Sequence, residues 1–319
     1  MSARHWSELG ESTFVGGTWF LYAVYRVLGR WPFRLCLYPV VLGYWLARPV
    51  ARRASMQYLQ RLHAAEAVFD RPPGAWHSLR HFACFAETLL DKMLAIGGRY
   101  DRRRVSLSGQ QSMLAASQAG QGGVIVTAHM GCLELMQVAA GWREGLRVTI
   151  LVHTAHAQRF NRILARLNPH AGVRLMQVTD FSPSTAMMLA DRVAAGEFIC
   201  IAGDRVPVNG DRIAHAHFLG HPVELPAGPY LVAAVLRCPV WLLGCLHAGT
   251  GYHARIQPFA DRIELPRGDR QRGLDTHANE FARWMTASLR ESPYDWFNFF
   301  PFWDTTRHAR KPTAAPDPR

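Results

Sequence analysis

Paired cysteines are missing from this chain. Six cysteines occur, Cys36, Cys84, Cys132, Cys200, Cys238 and Cys245, none in a CxxC arrangement and most inside apolar runs. That pattern argues against paired metal ligands and a disulfide framework. It predicts buried, reduced thiols, as in a domain facing the cytosol. HExxH and clustered His/Cys ligands are absent too, so no metal is expected. Neither a zinc-finger pattern nor a recognisable RNA-binding signature is present, and no nucleic-acid partner is expected. The first eight residues lack the basic start, apolar block and small-residue cleavage site of a secretory signal. No internal repeat occurs. No clean apolar run reaches the ~20 residues that a spanning helix needs.

Acidic residues are scarce: 24 stand against 36 lysines and arginines, and the net charge is +12 with histidine neutral. Arginine carries most of the excess. Such a surface attracts nucleic acid, anionic lipid headgroups or an acidic protein, and charge alone does not choose among them.

What is present is enough for a large core. The chain has 319 residues, 49% of them hydrophobic, and its alternating strand and helix patterns predict a folded α/β protein of one large domain or two small ones. Residues 14–28 and 33–47 are apolar and aromatic, separated by the turn-like Gly29-Arg30-Trp31-Pro32 and followed by Arg48, Arg52 and Arg53. Aromatic residues beside a basic cluster suit a segment held at a cytoplasmic membrane face. The segment reads as a membrane-dipping hairpin or a marginal span; the competing reading is a pair of helices packed on the main domain. Residues 54–95 read as helical with a break at 71–74, and the arginine-rich block 99–104 as a solvated link. Strands are expected over 124–128, 148–152, 173–178, 198–202, 240–246 and 252–258. Helices are expected over 133–142, 157–167, 184–194, 229–236 and 276–290. The proline-rich tail, 309–319, reads as disordered.

Chemistry concentrates where two of these strands end. The run 124–128 leads into His129, and Glu134 follows five positions later. An imidazole at the carboxyl end of a strand sits where open α/β folds bind ligands. A nearby carboxylate can fix its tautomer and stabilise the imidazolium. The plainer alternative is a structural histidine. Cys132 lies between the two, with no second base to make it a nucleophile. The strand 198–202 similarly runs into Gly203-Asp204-Arg205. If the two strands are parallel neighbours, His129, Asp204 and Arg205 open onto one crevice. Arg205 would bind a phosphate or steady an oxyanion there, unless Asp204 and Arg205 simply cap the loop. Residues 216–223, including Phe218 and Gly220, read as a turn-rich loop able to floor a lipid pocket, or as ordinary packing. The aromatic stretch 294–303 reads as a cover over the sheet edge or the pocket.

Taken together these motifs resemble the bacterial lipid A biosynthesis (lauroyl/myristoyl) acyltransferase family, within the lysophospholipid and glycerol-3-phosphate acyltransferase superfamily. The resemblance spans roughly residues 6–303. It rests on Trp6-x-Glu8-Leu9-Gly10-Glu11-Ser12, the apolar N-terminal segment with its basic flank, His-x4-Glu at 129–134, Gly203-Asp204-Arg205, Phe218-Leu219-Gly220 and Trp296-Phe297. Glu11-Ser12-Thr13 departs from the more usual Glu-Arg-Gly-Ser. The ending Trp296-Phe297-Asn298-Phe299-Phe300 looks closer to relatives encoded with aryl-polyene or other glycolipid pathways.

The resemblance implies a mixed, mostly parallel sheet flanked by helices, with membrane-associated N-terminal helices over 1–53, an acyltransferase domain over 54–308 and the tail beyond. It implies acyl transfer from a thioester, on acyl carrier protein or coenzyme A, to a lipid or glycolipid hydroxyl at the cytoplasmic face of the bacterial inner membrane. No cofactor is implied beyond the donor. Carried over by motif, His129 is the base and Glu134 its partner, with Asp204, Arg205, Phe218 and Gly220 lining the substrate site. Two other functions remain open on the residues alone: a thioesterase using the same pair on water, and a non-catalytic basic membrane-binding protein.

Overall fold

The computed structural model describes residues 15–137, 147–152, 173–177, 182–205, 212–266 and 268–303. Four helices open it: α1 (Val15–Leu28), α2 (Arg30–Ala47), α3 (Pro49–Glu66) and α4 (Ala75–Ile96). Then come β1 (Val105–Ser108), α5 (Gln111–Gln118), β2 (Gly123–Gly131), β3 (Val148–Val152), β4 (Val173–Gln177), α6 (Pro183–Ala194) and β5 (Phe198–Ala202). The hairpin β6 (Ile213–Phe218) and β7 (His221–Pro226) precedes α7 (Gly228–Leu236), β8 (Val240–Ala248), β9 (Gly251–Ala260) and α8 (Arg270–Glu291).

Seven strands form one sheet in the order β1-β9-β8-β2-β5-β3-β4. From β8 to β4 every pairing is parallel; β9 is antiparallel to β8 and parallel to β1. The fold is thus mixed α/β, as the sequence patterns predict, with the mostly parallel sheet that the resemblance implies. The central strand β2 alternates. Val124, Val126, Ala128 and Met130 enter a core shared with α3, α6, α7, α8 and the C-terminal aromatics. Ile125 enters a second core on the opposite face, shared with α1, α2, α4 and α5. Both faces of β2 are covered, which is why it reads as a continuous apolar run. Helix starts are set locally: Ser182 Oγ accepts the Thr185 N–H ahead of Pro183, and Asp269 accepts the Arg272 N–H.

Several expectations shift. Residues 216–223 are an antiparallel hairpin rather than a loop; Leu219 and Gly220 take φ of 52 and 77 at its turn, the pair of left-handed residues that a two-residue hairpin turn requires. The helix expected from Leu133 begins as a 3-10 turn, Leu133–Gln137; residues 138–142, the helix expected over 157–167, Val178 and the tail 309–319 lie outside the described residues. β1 and α5 were not read from the sequence, being short and weakly patterned.

The N-terminal helices also differ from the membrane-span reading. Among the described residues no helix is long and apolar enough to cross a membrane. Gly29, with φ 85, separates α1 from α2, and Pro39 lies inside α2. α2 buries one stripe, Phe33, Leu37 and Val41, and is clamped to α4 by Arg30 to Asp91 at 3.0 Å, Arg34 to Glu87 at 2.7 Å and Trp45 Nε1 to Ser78 at 3.1 Å. Its outer face remains apolar: Trp31 is 81% exposed and Leu35 75%.

Candidate active site

The register of the two central strands builds the site. Thr127 lies opposite Ala202, the Gly203 N–H donates to the Thr127 carbonyl at 2.8 Å, and two residues further on in each chain stand His129 and Asp204. Asp204 is fully buried. Its Oδ1 lies 2.8 Å from His129 Nδ1, and its Oδ2 accepts the His129 backbone N–H at 3.1 Å and the Trp296 indole N–H at 3.0 Å. A carboxylate at Nδ1 selects the tautomer with the proton there, leaving the Nε2 lone pair outward. The His129 side chain is 43% exposed. Partial removal from water, and then the Arg205 guanidinium, hold its pKa below the ordinary histidine value, against the pull of Asp204. Burial alone would raise Asp204, but His129, Arg205 and the indole N–H hold it well below the usual carboxylate range. The site therefore presents a neutral imidazole on a charged, immobile carboxylate.

The orienting carboxylate is thus not the one the motif reading assigned. Glu134 Oε1 pairs with Lys92 Nζ at 3.1 Å, and Glu134 Oε2 accepts from Cys132 Sγ at 3.7 Å. The cause is local. The chain leaves β2 through Gly131, whose φ is 56 and where a Cβ would lie 2.0 Å from the Cys245 carbonyl oxygen. Only glycine fits this left-handed, crowded position. The turn carries Cys132 and Leu135 into the core beside α4, and Glu134 follows them toward Lys92. Cys132 is buried beside Glu134, and burial pushes its thiol far above the ordinary value; it is no nucleophile.

Arg205 follows Asp204 directly, and its charge acts on His129. One of its guanidinium nitrogens donates to the Phe297 carbonyl at 3.1 Å, and its plane lies 5.7 Å from the Phe300 ring centre. Phe218 sits behind the crevice rather than lining it. It is buried, edge-on to Trp296 at 5.2 Å and stacked on Trp303 at 6.0 Å, so its route to the site is through the indole that holds Asp204. Gly220 serves the hairpin turn, and a Cβ there would meet open space. The pocket-floor role assigned to these two residues gives way to packing and turn geometry.

The C-terminal segment closes one wall. Gly131 N–H donates to the Asp295 carbonyl at 2.9 Å and Phe297 N–H to the His129 carbonyl at 3.2 Å, so Trp296 forms an isolated antiparallel bridge with Met130 at the end of β2. His81 Nε2 reaches the Trp296 carbonyl at 2.9 Å. Asp295 is fully buried and braces this segment: Oδ2 accepts the His247 backbone N–H at 2.6 Å and the Ser292 hydroxyl at 2.7 Å, and Oδ1 lies 2.5 Å from His247 Nδ1 and 3.5 Å from Cys84 Sγ. Cys84, His247 and Asp295 are the donor set among the described residues that converges enough for a metal ion. The 2.5 Å separation is that of a hydrogen bond; two ligands ~2.0–2.1 Å from one tetrahedral zinc would stand ~3.3 Å apart. The cluster is a hydrogen-bonded brace.

Two side-chain contacts of this region escaped the sequence reading. Trp296 was noted as a motif without its bond to Asp204. Lys92 was missed, although lysine occurs only at 92 and 311 in this arginine-rich chain and Lys92 sits in the otherwise apolar end of a helix.

A phosphatidylinositol mannoside acyltransferase of Mycolicibacterium smegmatis is 23% identical over 271 residues, covering 81% of this chain and 82% of that protein. The family model for bacterial lipid A biosynthesis acyltransferases matches residues 83–305, a span that holds His129, Glu134, Asp204, Arg205 and Trp296. The chain belongs to the bacterial lipid A biosynthesis acyltransferase family, and it is an acyltransferase of the lipid A and glycolipid type.

Proposed function

We infer that the protein moves a fatty acyl group from an acyl thioester, with acyl carrier protein as donor, to a hydroxyl of a membrane glycolipid. The observation that carries this reading is the exposed imidazole of His129 on the buried Asp204. Nε2 takes the proton of the acceptor hydroxyl as its oxygen attacks the thioester carbonyl. Asp204 offsets the charge of the imidazolium. Arg205, beside the base, steadies the tetrahedral oxyanion. The carbon–sulfur bond then breaks, and the thiolate leaves with the proton from Nε2, giving an ester and a free thiol. Asp204 takes the place of Glu134 as the orienting partner in this scheme. No metal or further cofactor enters it.

The donor assignment draws on the net charge of +12, which suits an acidic carrier protein. The membrane assignment draws on the outer face of α1 and α2. Val27, Leu28, Trp31, Leu35, Val40 and Leu46 are all more than half exposed, and Arg48, Arg52 and Arg53 follow them. Such a surface lies in the headgroup region without spanning, at the cytoplasmic face of the inner membrane. The named relative acts on a phosphatidylinositol mannoside, and an anionic glycolipid acceptor is taken here by analogy.

The test is lipid mass spectrometry of cells carrying the wild-type gene, no gene or the His129→Ala variant. A lipid heavier by one acyl group should appear with the wild-type gene alone. Free fatty acid without an acylated lipid would show a thioesterase instead. Full transfer by His129→Ala would reject the assigned base.

A further inference from the structure

The carboxylate behind His129 is gripped from a second side. Asp204 Oδ2 accepts the Trp296 indole N–H at 3.0 Å as well as the His129 backbone N–H at 3.1 Å. With that oxygen pinned, Oδ1 is left facing His129 Nδ1 at 2.8 Å. The indole is itself immobile. Trp296 is 1% exposed, and four rings meet it edge-on: Phe302 at 5.0 Å, Tyr58 at 5.1 Å, Phe218 at 5.2 Å and Trp303 at 5.9 Å. Edge contacts from four sides fix the ring plane, so its N–H points one way.

The Trp296 backbone is fixed too, by a line of hydrogen bonds that starts on α2. A carbonyl only accepts, so His81 Nε2, 2.9 Å from the Trp296 carbonyl, carries the proton and donates. Burial lowers His81 to about 4 and keeps the ring neutral. Its Nδ1 lone pair accepts from the Ser55 hydroxyl at 3.0 Å. Ser55 accepts from Ser78 at 2.9 Å, and Ser78 accepts the Trp45 indole N–H at 3.1 Å. Each hydroxyl donates once and accepts once. Trp45 lies on α2, Ser55 on α3, and Ser78 and His81 on α4. Ser55, Ser78, His81 and Asp204 are fully buried. A buried polar line with its members satisfied specifies one geometry, and this line ends at the carboxylate that orients the base.

We propose that Trp296 and His81 are positioning residues for acyl transfer: His81 seats the Trp296 backbone, and the Trp296 indole N–H locks the Asp204 carboxylate in the rotation that orients His129. The proposal rests on the acyl-transfer reading, in which His129 is the base. Both residues act through Asp204 rather than on the reacting atoms. The indole also takes a share of the carboxylate charge that the imidazolium would otherwise receive.

The test follows the His129 ring by NMR through a pH titration of the full chain in neutral maltoside micelles, with His129→Gln identifying its signal. Trp296→Phe keeps a buried ring and removes the N–H. The charges that act on His129, those of Arg205, Asp204 and Lys92, are the same in both proteins. Without the indole, Asp204 gives the imidazolium the charge it had shared, so the His129 midpoint should rise by ~0.5–1 pH unit. His81→Phe should move it in the same direction by less. Trp241→Phe is the control: this buried tryptophan of β8 donates to Ser112 at 3.0 Å, and its loss should leave the midpoint in place. The kcat of Trp296→Phe should fall about 10-fold with KM little changed.

An unmoved midpoint or an unchanged kcat in Trp296→Phe overturns the proposal, as does an equal shift in Trp241→Phe. An unmoved midpoint in His81→Phe removes His81 from it. Should Trp296→Phe fail to fold, the wild-type chain still decides. One indole N–H signal should move with the His129 midpoint and stop moving in His129→Gln; ten unresponsive tryptophans would overturn the proposal. The titration is read without turnover. Absence of acyl transfer in the lipid assay would therefore defeat the proposed function and leave the shift standing, whereas transfer with an unmoved midpoint would do the reverse.

Discussion

Two histidine–aspartate pairs stand at the ends of neighbouring strands, and they are built alike. His129 on β2 gives its backbone N–H and Nδ1 to the two oxygens of Asp204, at 3.1 and 2.8 Å; His247 on β8 does the same with Asp295, at 2.6 and 2.5 Å. Both carboxylates are fully buried. What differs is the surroundings. The His247 ring is packed 4.1 Å from the Tyr252 ring centre, and its Nδ1 lies 3.8 Å from Cys84 Sγ. The His129 side chain is 43% exposed, and its backbone carbonyl accepts the Phe297 N–H. In the proposed mechanism the same hydrogen-bond unit serves as a base at His129, whereas at His247 it braces packed side chains. Residues 295–296 couple the two, because Asp295 anchors the segment whose next residue, Trp296, holds Asp204.

The largest effect should follow from the catalytic pair. Asp204→Asn lets an amide N–H occupy Nδ1 and favours the unproductive tautomer. Transfer should fall ~10²–10⁴-fold, as for His129→Gln. Near-wild-type turnover by Asp204→Asn would remove the distinction between the two pairs.

The third histidine of this region predicts a pH effect. His81, fully buried between Ser55 and the Trp296 carbonyl, is lowered by burial to about 4. The unfolded chain takes up a proton between pH 6.5 and 4 that the folded chain refuses, so stability is full above about pH 6.5 and is lost as pH falls through that window. The loss should be on the order of 3 kcal/mol. Urea unfolding at pH 7 and pH 4.5 measures it, and His81→Gln should flatten the difference. An equal slope in that variant would place the acid sensitivity elsewhere.

Asp295→Asn should act mainly on stability. Removing the charge from a carboxylate that accepts from four groups should cost ~1.5–3 kcal/mol in denaturant unfolding, with activity reduced less than in Asp204→Asn. A catalytic loss as deep as that of Asp204→Asn, in a stably folded protein, would make the brace part of the chemistry. The smallest effect should come from Glu134→Gln. Its kcat should stay within ~10-fold of wild type, because Asp204 keeps the imidazole oriented. A collapse of kcat would reverse the roles of the two carboxylates.

Much of the fold was legible in the sequence. The runs 124–128, 148–152 and 198–202 read as buried strands because a strand covered on both faces is apolar at every position. The hairpin at 213–226 was not legible: His215, His217, His221 and Pro222 interrupt the apolar pattern, and its outward positions are polar because only one face is covered. At the site, His129, Asp204 and Arg205 were found as strand-end residues, and their meeting was foreseen if the strands were neighbours. The pairing of His129 with Glu134 failed because sequence proximity was taken for spatial proximity, and Gly131 turns the chain away between them.

By itself the sequence determined where the buried strands run, which polar residues end them and which family the motifs resemble, since burial and strand-end polarity leave local patterns. Tertiary structure alone decided partnership: that Asp204 and not Glu134 faces the imidazole, that Lys92 on α4 pairs with Glu134, and that Trp296 holds Asp204. A hydrogen bond between residues 75 positions apart depends on the register of β2 against β5, and no local pattern in either strand records that register.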